Sequence, residues 1–362
     1  MITYFITICI VLSFAYLAQN SIKITDGATN NISKTKNTGN TIFFLFVVVF
    51  TLTFVSGFRY YVGADYEAYT VIFKRNNHIF FKGNYNITEE PAFVLLCRIC
   101  GKIYNNYITM FIATSIITII PFLVSTYRES NDYIFVTALY IFCGCWHGSF
   151  NGIRQYIAVT IVYLGRHYII KHKFLKYLLF CLIAFLFHRS AAFAILFYFV
   201  YSEEFSFKRI SFIIIITIIL SLSYESIYSF IGWLDNEEFV LNDYSMRSVN
   251  TLRVLVQCCP AVLAIYLSLN KKIGKNQVFY VYMLLINAAI YIAMSNSAYL
   301  TRLGIYTSAF IPLGLNCILD EKISIKYYKV IRFVVTVFYF LFWLYGIYST
   351  GSLNNFRFIF NK

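Results

Sequence analysis

Charge is what this sequence has least of. Asp, Glu, Lys and Arg make up 13% of its 362 residues, about half the share found in an average soluble domain. That shortage excludes an ordinary water-soluble fold. Nucleotide and hydrolase signatures are missing as well: there is no P-loop, no dinucleotide fingerprint, no G-x-S-x-G, no H-E-x-x-H and no D-x-D. No stretch is long enough to form a cytosolic nucleotide-binding domain, which argues against transfer from a soluble sugar nucleotide. Metal-ligand spacing is absent too. Cys97 and Cys100 form a lone C-x-x-C without a second pair. Cys143, Cys145 and His147 fall at i, i+2 and i+4, which scatters them around a helix. Most of the nine cysteines lie inside apolar segments, as small hydrophobes do.

What is present is apolar. Hydrophobic residues reach 59% and aromatics 20%, with mean hydropathy +0.67. This predicts an all-α, polytopic membrane protein, folded over 1–362 as one helical domain. Apolar runs suggest spans near 2–19, 42–57, 103–125, 133–147, 153–170, 210–225, 252–269, 277–294, 303–319 and 329–348. Most approach the roughly 20 residues needed to cross about 30 Å of hydrocarbon. Residues 1–19 lack a basic n-region and an A-x-A-like site, so they are read as a retained first helix.

The formal net charge of +14 raises the question of nucleic acid, yet no basic-aromatic binding module is present. The lysines instead gather in short connections (Lys23, Lys34, Lys36; Lys171, Lys173, Lys176; Lys271, Lys272, Lys275; Lys322, Lys326, Lys329), the pattern of cytoplasmic loops facing anionic lipid. That pattern decides the run 174–201. A single crossing there would carry the later lysines outside. Two short passes or a re-entrant hairpin, turning at His188 and Arg189, keeps them inside. A broken helix pair is therefore expected, giving about 10–12 spans, with His188 in a cavity because non-helical backbone at membrane depth needs protein or water around it. The same bookkeeping places 58–102, 148–152, 188–189, 226–251 and 295–302 outside. Arg59, Asp65, Glu67, Glu89, Glu90, Arg154, His188 and Arg302 then share one membrane face. Trp146 and Trp233 fall near interfaces, where aromatic belts are ordinary.

Polar side chains at such edges are costly and signal function. Arg59 follows Gly57, with Gly63 allowing a tight turn and Asp65 and Glu67 close behind. It is either a snorkelling arginine or a phosphate clamp with an acid/base partner. Asn151-Gly152 reads as a turn and Arg154 as first-turn helix, with Asn151, Arg154 and Ala158 on one face. A helix start attracts anions, and an arginine there strengthens the attraction. His188 is an interface histidine or a base, and Arg189 beside it favours the neutral imidazole that can accept a proton. Arg302 opens a span from outside, where it is an anchor or a ligand-binding group.

In chain order, Arg59-x3-Gly63-x-Asp65-x3-Tyr69, Glu90-Pro91-Ala92-Phe93, Phe150-Asn151-x2-Arg154-Gln155-x2-Ala158, Ala184-x3-His188-x-Ser190-Ala191 and Arg302-Leu303 resemble the EpsG-like family among the Wzy-type polymerases. The resemblance spans about 40–320 and departs at Ala92, where such proteins often have glycine. It implies a GT-C-like multi-pass enzyme of the bacterial cytoplasmic membrane that needs no cofactor. Such an enzyme joins undecaprenyl-diphosphate-linked oligosaccharide units into O-antigen, capsule or exopolysaccharide at the outer face. A flippase and a chain-length regulator are implied as partners. On this expectation Arg59, Arg154 and Arg302 hold the diphosphate, Asp65 or His188 is the base, and Tyr69, Glu90, Asn151 and Gln155 contact substrate. An O-antigen ligase or a transporter (flippase) is the alternative. Transporters, however, typically carry internal repeats, and none is evident.

Overall fold

The computed structural model describes residues 1–26, 38–78, 90–223, 225–226, 247–270, 273–320 and 327–361. Most of the acidic connection 226–251 with Trp233, together with Glu89 and several of the loop lysines, lies outside the described residues. Among the described residues the regular structure is helical, as a bilayer requires of a backbone that must satisfy its own hydrogen bonds. Among the described residues six helices are long and apolar enough to span: Ile2–Ser21, Gly39–Gly57, Tyr107–Glu129, Thr251–Leu269, Lys275–Ala293 and Tyr328–Ser349. Shorter apolar helices cover Tyr133–Phe142, Phe174–Phe187 and Arg189–Val200. The chain is a multi-pass membrane protein.

Two expected spans are interrupted. The run 133–147 divides at Gly144, whose φ of 89° is open to glycine but costly for other residues. The run 303–319 divides into Gly304–Ser308 and Ile311–Ile318. The break expected at His188 is present. Helix α9 (Phe174–Phe187) stops there and a 3-10 segment, Arg189–Ile195, follows. The chain then doubles back: the Tyr177 hydroxyl donates to Ala194 O at 2.7 Å, and the Phe174 ring meets Tyr198 at 5.0 Å. His188 thus sits at the turn of a hairpin.

The chain forms two compact units, one of Met1–Leu164, Phe180–Ala191 and Lys329–Lys362, the other of Gly165–Leu179 and Ala192–Tyr328. In the second, Asn287 is fully buried and ties three segments together, donating to Gln257 O and Oε1 at 3.0 Å and accepting from Thr307 Oγ1 at 2.9 Å. Hydrogen-bonded side chains of this kind are the usual glue between membrane helices.

The first unit has two distinct ends. At one, Ser21 meets Thr41 at 2.7 Å, the Gln19 side chain accepts from Ile134 N at 3.2 Å, and Arg332 pairs with Asp132 at 2.8 Å. At the other, residues 58–63 lie against 350–359. The stretch 58–102, expected as an outside loop, is largely helical: α3 (Tyr66–His78) and α4 (Pro91–Ile103). Tyr66, Tyr69 and Phe73 lie on one face of α3. They are buried with Phe93, Cys97 and Cys100 of α4, Met110 and Phe111 of α5 (Tyr107–Glu129), and Ile153 and Ile157 of α8 (Ile153–Ile170). This aromatic core is the floor on which the polar residues of that end are set.

Candidate active site

Three segments far apart in sequence bring one buried carboxylate to a focus. Glu90 precedes Pro91 at the start of α4, where proline favours the first turn. Its backbone is left-handed, φ 53° and ψ 72°, a region in which a non-glycine residue costs about 1–3 kcal/mol. Only 5% of its side chain is exposed. One oxygen, Oε2, pairs with Arg154 Nη1 at 2.6 Å, and the other, Oε1, accepts from His188 Nδ1. Arg154 comes from the first turn of α8 and His188 from the hairpin turn. The Oε2 contact is an ion pair without hydrogen-bond geometry, so the buried carboxylate is compensated by the charge of Arg154 on one oxygen and by the His188 hydrogen bond on the other.

The partners remain accessible. Arg154 is 34% exposed and His188 28%, so each keeps a part facing away from Glu90. With Nδ1–H directed to the carboxylate, the imidazole's second nitrogen, Nε2, is the one with a free lone pair, the arrangement by which a carboxylate orients a catalytic histidine. Below Arg154 lie the rings of Tyr69 and Phe93, each 5.9 Å from the guanidinium carbon. Tyr69 is 5% exposed. Burial raises its pKa and Arg154 opposes that shift, so the phenol stays protonated. It therefore supports Arg154 from beneath and does not itself face solvent.

Arg59 is placed differently from the clamp expected of it. It is 2% exposed and wedged between Phe111 and Phe150, at 4.6 and 4.8 Å from the ring centroids. Its nitrogens donate to carbonyls: Nε to Val62 at 3.2 Å, Nη2 to Phe150 at 3.2 Å, and Nη1 to Ser56. Burial lowers its pKa to about 10, which still leaves it charged at neutral pH. The group spends its charge on joining the end of α2 (Thr38–Gly57) to the segment before α8. Gly63 completes that joint. Its φ is 102°, and a Cβ there would meet Asn151 Oδ1 at 2.7 Å and Phe150 O at 3.1 Å. Asn151 Oδ1 is buried without a hydrogen-bond partner.

Asp65 is half-buried beside the start of α3, and its backbone carbonyl accepts from Tyr69 N at 3.0 Å. Gln155 is buried in α8. Arg302 is exposed on a 3-10 turn of the second unit, Leu300–Leu303. The structure thus brings Glu90, Arg154, His188 and Tyr69 together and holds Arg59, Asp65 and Asn151 at the same end of their unit. Trp146 is not on the protein surface, where an aromatic belt would place it. It is fully buried and donates to Ser56 Oγ at 2.7 Å. Sequence reading missed the centrality of Glu90. Its one local signal was an acid directly before a proline at a helix start.

The family model of EpsG matches residues 42–359. The chain belongs to the EpsG family. The match begins in α2 and takes in every member of the Glu90 cluster, as well as the segment 350–359. Family membership is consistent with a polysaccharide polymerase and suggests glycosyltransferase-like chemistry. No curated protein and no solved structure matches this EpsG-family chain.

Proposed function

We propose that this protein polymerises undecaprenyl-diphosphate-linked oligosaccharide repeat units into surface polysaccharide at the outer face of the cytoplasmic membrane. The observation that carries this reading is the Arg154–Glu90–His188 cluster, a half-exposed cation and a half-exposed base organised by one buried carboxylate. In the reaction the glycosyl C–O bond to the diphosphate breaks and a new C–O bond forms to a hydroxyl of the incoming unit. The hydroxyl proton passes to His188 Nε2, and undecaprenyl diphosphate leaves with the bonding electrons. Negative charge grows on the leaving group, and a preorganised cation stabilises it without reorganisation. Arg154 supplies that charge through the donors Glu90 does not occupy. His188 is favoured over Asp65 as base because a carboxylate orients it. Arg59 is reassigned as the residue that fixes the Gly63 turn.

The test is the surface glycan of a deletion strain complemented with Arg154→Ala. Loss of long chains at normal protein level, with single repeat units still attached, is the expected result. Polymer accumulating on the lipid carrier would indicate a ligase, units retained in the cytoplasm a flippase, and wild-type chain length would end the reading.

A further inference from the structure

The site end of the first unit holds a second feature. Residues 58–63 and 350–359 are sewn together: Tyr60 N donates to Arg357 O at 2.8 Å, Gly63 N to Ser352 O at 3.0 Å, and Ile359 N to Phe58 O at 3.0 Å. Arg59 and Phe358 form an antiparallel bridge. Where the two segments part, they leave a cavity of about 180 Å³ lined by Tyr60, Tyr61, Gly351, Ser352, Asn355 and Arg357. That is well below the ~300 Å³ at which pockets for drug-sized ligands begin, so it suits one ring and excludes a lipid chain. No aliphatic side chain and no carboxylate is in the lining.

Two details mark the cavity as built. Tyr61 takes φ 51°, a rare conformation for a bulky residue, and its ring is 56% exposed. The ring packs against Tyr60 at 4.8 Å and Tyr66 at 5.2 Å and leaves the rest of its surface open at the rim. Ser352 Oγ, in the wall, is buried with no hydrogen-bond partner, a costly state unless something supplies one. An aromatic face beside an orphaned hydroxyl, an amide and a guanidinium is the complement of a pyranose, which has an apolar C–H face and a rim of hydroxyls.

We propose that this cavity is a sugar subsite, with one ring of the glycan stacked on Tyr61 and its hydroxyls bonded to Ser352, Asn355 and Arg357. The assignment rests on the polymerase reading for the source of that glycan. The Gly63 turn links the subsite to the segment that leads into the cluster: it bonds Ser352 on one side and packs on Asn151, three residues before Arg154, on the other.

The experiment titrates purified full-length protein in detergent with oligosaccharide released by mild acid from the same strain's polymer. Binding is followed by saturation-transfer NMR, and inorganic phosphate serves as the second probe. Tyr61→Gly is the first variant, because glycine accepts the left-handed backbone and the turn is kept. Asn355→Ala, at an exposed position, is the second. Wild-type protein is expected to bind the oligosaccharide, and each variant to bind it at least tenfold more weakly. Equal binding by both variants, or binding of phosphate alone, would overturn the subsite. Arg154→Ala separates the two ideas: it should make no polymer and still bind oligosaccharide. Normal polymer from Arg154→Ala would defeat the polymerase mechanism and leave the titration to decide the cavity independently.

Discussion

Two clusters in this molecule each join a glutamate to a histidine and a basic side chain, arginine in one and lysine in the other, and differ most in what surrounds them. In the first unit Glu90 holds Arg154 and His188. In the second, Glu203 holds Lys275 and His172, the latter at 3.3 Å. Glu90 is 5% exposed and Glu203 40%. Around Glu203 water screens each charge, and a solvated ion pair of this sort adds little. Around Glu90 water is largely excluded, so each interaction is stronger and the loss of any partner leaves an uncompensated group. Glu90 also begins a helix in a strained conformation, whereas Glu203 lies on a simple connection between Val200 and Phe207. Residue types alone therefore do not make a site. Burial of the carboxylate with its partners left half-open does.

The sharpest way to break this comparison is to neutralise each carboxylate in turn. Glu90→Gln should abolish long-chain polymer and also destabilise the protein by about 1–3 kcal/mol, less than for a fully buried pair because Arg154 retains some water. Surface glycan electrophoresis and thermal unfolding in detergent would read the two effects. An equally active Glu90→Gln would remove the distinction between the clusters.

His188→Gln comes next. Removing a general base costs about 10²–10⁴-fold in rate, so chain extension should fall by that order, with a modest drop in unfolding temperature because Glu90 Oε1 loses its partner. A comparable loss from Asp65→Asn, with His188→Gln active, would transfer the role to Asp65.

Gly63→Ala tests the frame instead of the chemistry. The positive φ and the Asn151 contact predict a loss of about 1–3 kcal/mol, seen as a lower unfolding temperature with residual polymer.

The smallest effect is expected at Glu203. Lys275 first, and His172 with it, lower the Glu203 pKa below its ordinary 4.5. A depressed carboxylate stabilises the fold above its unfolded pKa and loses that contribution as pH falls through its folded value. Glu203→Gln should therefore leave polymer length unchanged. It should slightly lower the unfolding temperature at neutral pH and low salt, a difference that vanishes in acid or at high salt.

Much of this was legible beforehand, for a physical reason in each case. Helices such as Gly39–Gly57 and Tyr328–Ser349 announce themselves because the cost of placing polar groups in hydrocarbon is set residue by residue. The break at His188 was readable from lysines elsewhere, because orientation couples every loop charge to every crossing. The amphipathic helices α3 and α4 are harder to read from sequence, since each has only 13 residues and the exposed side of α3 carries Glu67, Lys74 and Arg75. Arg59 and Arg154 looked alike in sequence, each an arginine at a helix edge near a turn.

The chain's composition and run lengths settled by themselves that it is an all-helical, multi-pass membrane protein, because hydropathy is a local property, and its ordered motifs carried the resemblance to the EpsG family that the family model shows. Only the tertiary structure decided that Arg59 is consumed by backbone carbonyls, that Glu90 gathers Arg154 and His188, and that residues 350–359 close a cavity against Tyr61. Those outcomes turn on contacts such as Glu90 with Arg154, Glu90 with His188, Arg59 with Phe150 and Gly63 with Ser352, whose partners are too far apart in the chain for one window of sequence to contain both.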